Sequence, residues 1–253
     1  MGVLDDILSA KQREIAALGG APLPAPPPPR AAELVRPAGA PLRVIAEIKH
    51  RSPSAGELSR ALPVEERARR YERAGAALVS VLTDQSFFGG SYEDLARARA
   101  GTTLPILAKE FVLDESQLER ARAFGADAVL LIVRILDARR LGQLLEAARG
   151  LSLEPLVEVT THDEARIALS AGAELVGVNA RDLDTLRMDP ARAAAVLASL
   201  PRWVTSVHLS GLASADDVAR IARSPAHAAL VGEALMRTDD PEPLLAEWVR
   251  AAG

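Results

Sequence analysis

The 253-residue chain contains no cysteine and only 3% aromatic residues. Without cysteine it cannot form disulfide bonds, iron–sulfur clusters, thiolate zinc sites or a thiolate nucleophile. It also lacks any run of about 18 apolar residues, which would be needed for a transmembrane helix. The N-terminus alternates charged and apolar residues, unlike the apolar core of a secretory leader. We therefore expect a cytoplasmic protein that does not engage a membrane.

A basic excess and a metal motif are missing as well. The formal net charge is −4 and the sequence pI is near 5.7, so binding to nucleic acid is not expected. The four histidines are His50, His162, His208 and His227. Their spacing matches no known metal-binding motif, so we expect no metal site. With 49% hydrophobic residues, the chain is predicted to fold as a single globular domain over 1–253.

The first 42 residues differ in pattern from the rest. Apolar residues recur at three- and four-residue steps over 3–18, which predicts an amphipathic helix that ends at Gly19 and Gly20. Six prolines follow over 22–29, and they predict an extended arm, because each proline fixes φ and removes a backbone donor. Residues 1–42 are thus interpreted as an N-terminal extension.

From residue 43 to 253, short apolar runs alternate with helical periodicity, which is typical of βα units and a parallel sheet. Eight strands are predicted, at 43–49, 77–83, 104–110, 127–133, 154–159, 174–179, 203–209 and 228–232. Helices are predicted around 63–74, 91–99, 114–124, 137–149, 162–171, 189–199, 214–223 and 239–251. This count favours a closed (β/α)8 TIM barrel in the α/β class over an open sheet.

An internal repeat supports the barrel. Gly-Ala stands between a helix and the next strand in three places, within 74–77, 124–127 and 171–174. A glycine at the helix C-terminus would explain the repetition. A chance match in an alanine-rich chain explains one instance better than three.

Polar residues stand where the predicted strands end, and in a parallel barrel those ends build the active site. Glu47 and Lys49 end the first strand on one face, where period-two alternation places both in the barrel mouth. The third, fifth and sixth strands end at Lys109, Glu158 and Asn179, with Arg181 close behind. Each charge alone could form a loop ion pair. Together they predict an acid–base site.

The last two strands are followed by Ser210-Gly211 and Gly232-Glu233. Loops at these positions of a barrel commonly hold phosphate with backbone N–H groups, so a small phosphorylated substrate is predicted. Two ordinary glycine turns are the alternative. Ser52 lies in a loop over 51–58 that could cover the mouth, and Phe88 could form an apolar wall for a planar ligand or pack in the core.

Seven blocks occur in this order along the chain: VIAEIKHRSPSAGEL, SVLTDQSFFGGSYEDL, PILAKEFVLDESQ, ADAVLLIVRIL, LEPLVEVTT, VGVNARDLDTL and LVGEALMR. Together they resemble the indole-3-glycerol phosphate synthase family of tryptophan biosynthesis. The resemblance covers about 43–240. It implies a cofactor-free carboxy-lyase that converts 1-(2-carboxyphenylamino)-1-deoxyribulose 5-phosphate into indole-3-glycerol phosphate, carbon dioxide and water. We expect a monomer.

The resemblance also implies roles for the residues. Lys109 would protonate the ribulose carbonyl oxygen, Lys49 would hold the anthranilate carboxylate, and Glu158 would move protons as water leaves. Glu47 and Asn179 would orient the lysines and the substrate hydroxyls. Substrate binding is implied for Ser52, Phe88, Phe111 and Arg181, and phosphate binding, largely through the backbone, for Ser210, Gly211, Gly232 and Glu233.

The chain departs from the family pattern at one position. Where the family has Ser-Glu-Ser-Gly, this chain has Leu209 before Ser210, which predicts altered electrostatic support for the lysines.

Other phosphate-binding barrels, such as phosphoribosylanthranilate isomerase or the tryptophan synthase α subunit, are alternatives, because a fold does not choose a reaction. An isomerase would not need a clamp for a departing carboxylate. A non-catalytic binder of a phosphate ligand is the third possibility.

Overall fold

A computed structural model describes residues 3–17, 22–53 and 56–253. Eight parallel strands close into one barrel in chain order, so the predicted (β/α)8 fold is confirmed. From first to eighth, the strands are Arg43–Ile48, Leu78–Leu82, Ile106–Lys109, Ala128–Ile132, Glu154–Val159, Leu175–Asn179, Thr205–Leu209 and Ala228–Val231. The first and eighth strands pair directly, with Ala46 beside Val231, and this pairing closes the cylinder.

Each barrel strand is followed by a helix on the outside. These helices are Val64–Arg73, Tyr92–Gly101, Glu115–Ala123, Ala138–Gly150, His162–Ser170, Pro190–Ser199, Ala215–Ala222 and Glu242–Ala251. Three of them end at the repeated glycines Gly75, Gly125 and Gly172, which all have a positive φ that L side chains rarely adopt. At each one, the next N–H returns to a carbonyl of the last helical turn, so these glycines terminate helices as predicted.

The alternation of side chains along the strands builds two apolar layers. Val44, Ala46 and Ile48 of the first strand face outward and join the layer between barrel and helices. Ile45 faces inward and joins a smaller cluster that fills the barrel interior, together with Leu107 of the third strand. Parallel strands covered on both sides need apolar residues on both faces, which explains the continuous apolar runs of the sequence. Inward positions near the strand ends remain for polar groups.

Several short elements were not predicted. Single-turn helices occur at Gln85–Phe88 and Glu233–Met236, and a 3₁₀ turn at Val133–Ile135. The segment expected as a loop over 51–58 instead contains a two-stranded antiparallel ladder, in which Arg51 pairs with Glu57. Segments of two to four residues are too short to show hydrophobic periodicity, so sequence patterns miss them.

The N-terminal extension spans both ends of the barrel. Its helix, Val3–Ala17, contributes buried Leu4 and Ile7 to the interior cluster; the predicted stop at Gly19 and Gly20 lies outside the described residues. The proline-rich arm is not helical and lies along the barrel. Arg30 in the arm donates its backbone N–H to Asp127, which stands just before the fourth strand, at 2.7 Å. The arm therefore docks on the N-terminal end of the barrel.

Within 3–17, 22–53 and 56–253, no helix is both long and apolar enough to cross a bilayer. In those same ranges, no group of three or more histidine, aspartate or glutamate side chains is arranged to hold a metal ion.

Candidate active site

A cavity of about 460 Å³ opens at the C-terminal ends of the strands. This is the end at which barrel enzymes place their catalytic groups. All the residues that the sequence predicted for the site line this cavity: Glu47, Lys49, Ser52, Phe88, Lys109, Phe111, Glu158, Asn179, Arg181, Ser210, Gly211, Gly232 and Glu233. Residues from seven of the eight strands, or from the loops that follow them, therefore meet around one opening.

One carboxylate joins the two lysines of the site. Glu47 is 1% exposed, and its Oε1 accepts a hydrogen bond from Lys49 Nζ at 2.7 Å while its Oε2 accepts one from Lys109 Nζ at 2.6 Å. Burial alone would raise the pKa of Glu47, but the ammonium groups of Lys109 and Lys49 outweigh it and lower the pKa to about 2. Glu47 is therefore a fixed anion that holds both cations at the cavity floor.

Lys109 stands between two carboxylates. Burial lowers its pKa, but the charges of Glu47 and Glu158 act more strongly together and raise it above the usual value. The ammonium is therefore fully charged at neutral pH and has a proton to donate. In the free site, the hydrogen bond to Glu47 lowers the acidity of the Lys109 ammonium. A substrate oxygen that replaced Glu47 as the hydrogen-bond partner would make the ammonium more acidic.

A chain of hydrogen bonds fixes the carboxylate of Glu158. Asn179 Nδ2 donates to Glu158 Oε1 at 2.8 Å, and the Asn179 side-chain oxygen accepts the backbone N–H of Arg181 at 2.9 Å. The second bond determines which end of the amide faces Glu158. Burial raises the pKa of Glu158, and Lys109 and Asn179 only partly oppose this, so the carboxylate is a stronger base than an ordinary glutamate.

Apolar side chains form one wall of the cavity. The rings of Phe88 and Phe111 are tilted against each other with centroids 6.2 Å apart. Leu4 and Ile7 of the N-terminal helix line the cavity as well, which the sequence analysis did not predict. The extension is thus part of the site.

A buried ion cluster attaches that helix to the barrel. Lys11 is 2% exposed, and its Nζ lies 2.9 Å from Asp84 and 2.9 Å from Glu110, with Glu14 of the same helix at 2.5 Å. The sequence held a signal for this cluster, because Lys11 continues the apolar face set by Leu4 and Ile7. A lone cation on such a face needs a buried partner.

The opposite wall consists of the loops after the seventh and eighth strands. Ser210 and Gly211 both have positive φ, at 69° and 80°. A methyl group added at Gly232 would lie 2.5 Å from Glu47 Oε1, so this glycine leaves room for the shared carboxylate. Arg237, another residue that the sequence analysis missed, lines the cavity here and pairs with Glu233 at 2.8 Å.

Leu209 lies where the resembled family has an acidic residue. It is 1% exposed, faces the barrel interior, and pairs in register with Asn179. A methyl group built on Gly177 would come within 2.6 Å of its Cδ1, so Gly177 provides the space that the leucine fills. The seventh strand therefore brings an apolar group to the interior at this position.

Comparison with known proteins gives a consistent result. The family model described as indole-3-glycerol phosphate synthase matches residues 7–247. Curated indole-3-glycerol phosphate synthases match at similar lengths. The one from Kineococcus radiotolerans is 43% identical over 263 residues, covering 99% of this chain and 96% of its own. The one from a Nocardioides species is 45% identical over 251 residues, covering 96% of each chain.

Solved structures of other proteins share the fold. Thiamine phosphate pyrophosphorylase from Pyrococcus furiosus superposes with a TM-score of 0.64 at 17% identity, covering 83% of this chain and 95% of its own. The 3-hexulose-6-phosphate synthase from Salmonella typhimurium gives 0.64 at 13% identity, covering 83% and 98%. At such identities the likeness concerns the barrel alone.

Proposed function

This chain belongs to the indole-3-glycerol phosphate synthase family, and from that premise we propose which of its side chains carry out the decarboxylating ring closure of tryptophan biosynthesis. The substrate has an aromatic ring with a carboxylate, a ribulose carbonyl and a terminal phosphate. The cavity offers an apolar wall, two lysines with two carboxylates, and a pair of glycine loops. Each substrate feature thus has a counterpart of suitable chemistry.

Ring closure needs an acid at the carbonyl. The ring carbon that bears the carboxylate forms a bond to the ribulose carbonyl carbon, and Lys109 gives its proton to the oxygen as that oxygen takes the electron pair. The ion pair between Lys109 and Glu47 supports this role, because the carboxylate keeps the lysine charged until substrate arrives. Acid catalysis of this kind contributes about 10²–10⁴-fold.

Decarboxylation then restores the aromatic ring. The bond to the carboxylate breaks, its electron pair returns to the ring, and carbon dioxide leaves. We assign Lys49 to hold the carboxylate beforehand, since its ammonium is anchored by Glu47 at 2.7 Å and borders the cavity. Glu47 thereby orients both lysines.

Dehydration completes the indole. The new hydroxyl takes up a proton from solvent and leaves as water, while the carbon next to nitrogen loses a proton, for which Glu158 is the base in our proposal. Its raised pKa and its bond to Asn179 support this choice. Asn179 orients Glu158, and Arg181 orients Asn179. The phosphate would bind at Ser210, Gly211, Gly232 and Glu233, largely through backbone groups, with Ser52 closing the rim.

The convergence of Lys49 and Lys109 on one buried carboxylate is the observation that carries this proposal. The test is turnover of the carboxyphenylamino substrate, followed by indole fluorescence. We expect Lys109→Ala to lower kcat by at least about 10². Arg202→Ala, an exposed cation before the seventh strand, is the matched control. Near-full activity in Lys109→Ala would remove Lys109 from its role, and binding without turnover by the unaltered protein would favour a non-catalytic binder.

We also propose that the enzyme acts in the cytoplasm as a monomer. Every group assigned above comes from one chain, so the site does not call for a second copy. Size-exclusion chromatography with light scattering would test the oligomeric state, and a dimer at micromolar concentration would contradict it.

A further inference from the structure

His208 lies directly behind the loop that follows the seventh strand. Its side chain faces away from the barrel interior and is only 4% exposed. The imidazole Nε2 lies 3.1 Å from the carbonyl oxygen of Ser210, and among the described residues Nδ1 has no hydrogen-bond partner. None of the catalytic steps proposed above uses this histidine.

The partner fixes the form of the imidazole. A carbonyl oxygen only accepts hydrogen bonds, so Nε2 must carry the proton. Burial lowers the pKa of His208 to about 4, while the bond to Ser210 and the charges of Arg220 and Asp217 on the following helix have smaller effects. The ring is thus neutral at neutral pH. It is a single donor aimed at one backbone oxygen.

That oxygen belongs to a residue in an uncommon conformation. Ser210 has a φ of 69°, in the left-handed region that non-glycine residues rarely occupy, and Gly211 follows at 80°. Such a backbone persists only where its surroundings hold it. The imidazole of His208 supplies a hydrogen bond to the peptide group between these two residues.

A trans peptide group is planar, and its C=O and N–H point in opposite directions. The Ser210 oxygen is held on the outer side by His208, so the N–H of Gly211, in the same plane, points toward the cavity that Gly211 lines. Among the described residues this N–H has no acceptor. We propose that His208 is a positioning residue that holds the Ser210–Gly211 peptide so that its N–H binds the substrate phosphate.

The inference rests on the proposed function, since it requires phosphate at this loop. The test compares KM and kcat for the carboxyphenylamino substrate, and the inhibition constant of inorganic phosphate, in the full chain and its variants. His208→Leu removes the donor, whereas His208→Gln keeps an amide donor of similar reach. His227→Leu is the matched control, because His227 bonds a backbone group, the Ser206 N–H, before the eighth strand.

We expect His208→Leu to raise KM and the phosphate inhibition constant together by about fivefold to tenfold, the loss typical of one neutral hydrogen bond, with kcat within about twofold. His208→Gln should recover most of the loss, and His227→Leu should leave both constants unchanged. Unchanged constants in His208→Leu, or equal losses in the Leu and Gln variants, would overturn the proposal and leave His208 a structural residue.

If His208→Leu does not fold, His208→Asn replaces it in the comparison with His208→Gln, because the asparagine amide is too short to reach the carbonyl.

Two further outcomes separate this inference from the proposed function. If the unaltered protein turns over substrate but phosphate does not inhibit it, the phosphate assignment and this inference both fail while the activity stands. If it binds phosphate without turnover, the proposed function fails, and the phosphate affinities of the variants still decide the role of His208.

Discussion

Replacing Gly232 by alanine tests whether the position of the Glu47 carboxylate limits catalysis. Gly232 has a negative φ of −145°, and the first obstacle that a methyl group would meet there is the side chain of Glu47. An ideal Cβ there lies 2.5 Å from Glu47 Oε1, and real Cβ atoms essentially never come closer than 3.0 Å. The oxygen must therefore retreat by about 0.5 Å or more. It is the same oxygen that accepts the hydrogen bond from Lys49.

A displacement of about 1 Å in a catalytic group can cost about 10²-fold in rate. We expect Gly232→Ala to lower kcat by about 10- to 100-fold, measured by indole fluorescence. Gly142→Ala is the control, because a methyl group there meets no atom within 4 Å. A kcat within about twofold of the unaltered enzyme, or an effect confined to KM, would refute the reasoning and leave Gly232 with a phosphate role alone.

Three more predictions follow from the site. Leu209→Glu should shift the acidic limb of the pH profile of kcat/KM to higher pH, because a carboxylate beside the Asn179–Glu158 pair raises nearby pKa values. Leu209→Gln should leave the limb where it is. Identical pH profiles for Leu209→Glu and the unaltered enzyme would contradict this prediction. Lys11→Met should lower the free energy of unfolding by about 3–5 kcal/mol and raise KM, since it leaves buried Asp84 and Glu110 without their cation. The exposed control Arg13→Met should change neither quantity. Equal denaturation midpoints for Lys11→Met and the unaltered protein would contradict a stabilising role of the cluster. Activity should fall as pH drops through the raised pKa of Glu158, above the range of an ordinary glutamate, and Glu158→Gln should lower kcat by about 10²-fold or more; a profile without that limb in the unaltered enzyme would count against Glu158 as the base.

The sequence predicted the fold because the barrel repeats one pattern eight times. All eight strands occur where the apolar runs predicted them, although the seventh begins at Thr205 and leaves Trp203, 63% exposed, outside the sheet. The positions of the residues around the cavity were predictable for a related reason. Strand ends converge in a closed barrel, so Lys109 and Glu158 could be placed in one cavity from their positions alone.

Other contacts could not be predicted, because they join segments whose spacing carries no signal. Only the family resemblance, and not the spacing, implied that Glu47 orients the lysines, because its hydrogen bonds depend on side-chain reach across the barrel mouth and Lys109 is 62 residues away from it in the chain. The wall formed by Leu4 and Ile7 depends on where the N-terminal helix docks. Helical periodicity describes burial and not partners, so it indicated an amphipathic helix without showing that its apolar face would line the cavity.

The route of the N-terminal extension has a consequence for how the enzyme matures. Arg36, at the end of the arm, donates its guanidinium hydrogen bonds to the carbonyl groups of Ala222 and Ala226, which lie 186 and 190 residues further along the chain. Lys11 meets Glu110, the last of its partners along the chain, only after residue 110 has been synthesised. Arg36 can therefore reach its partners only after most of the chain has been synthesised, so the extension that carries Leu4 and Ile7 to the cavity completes its docking late.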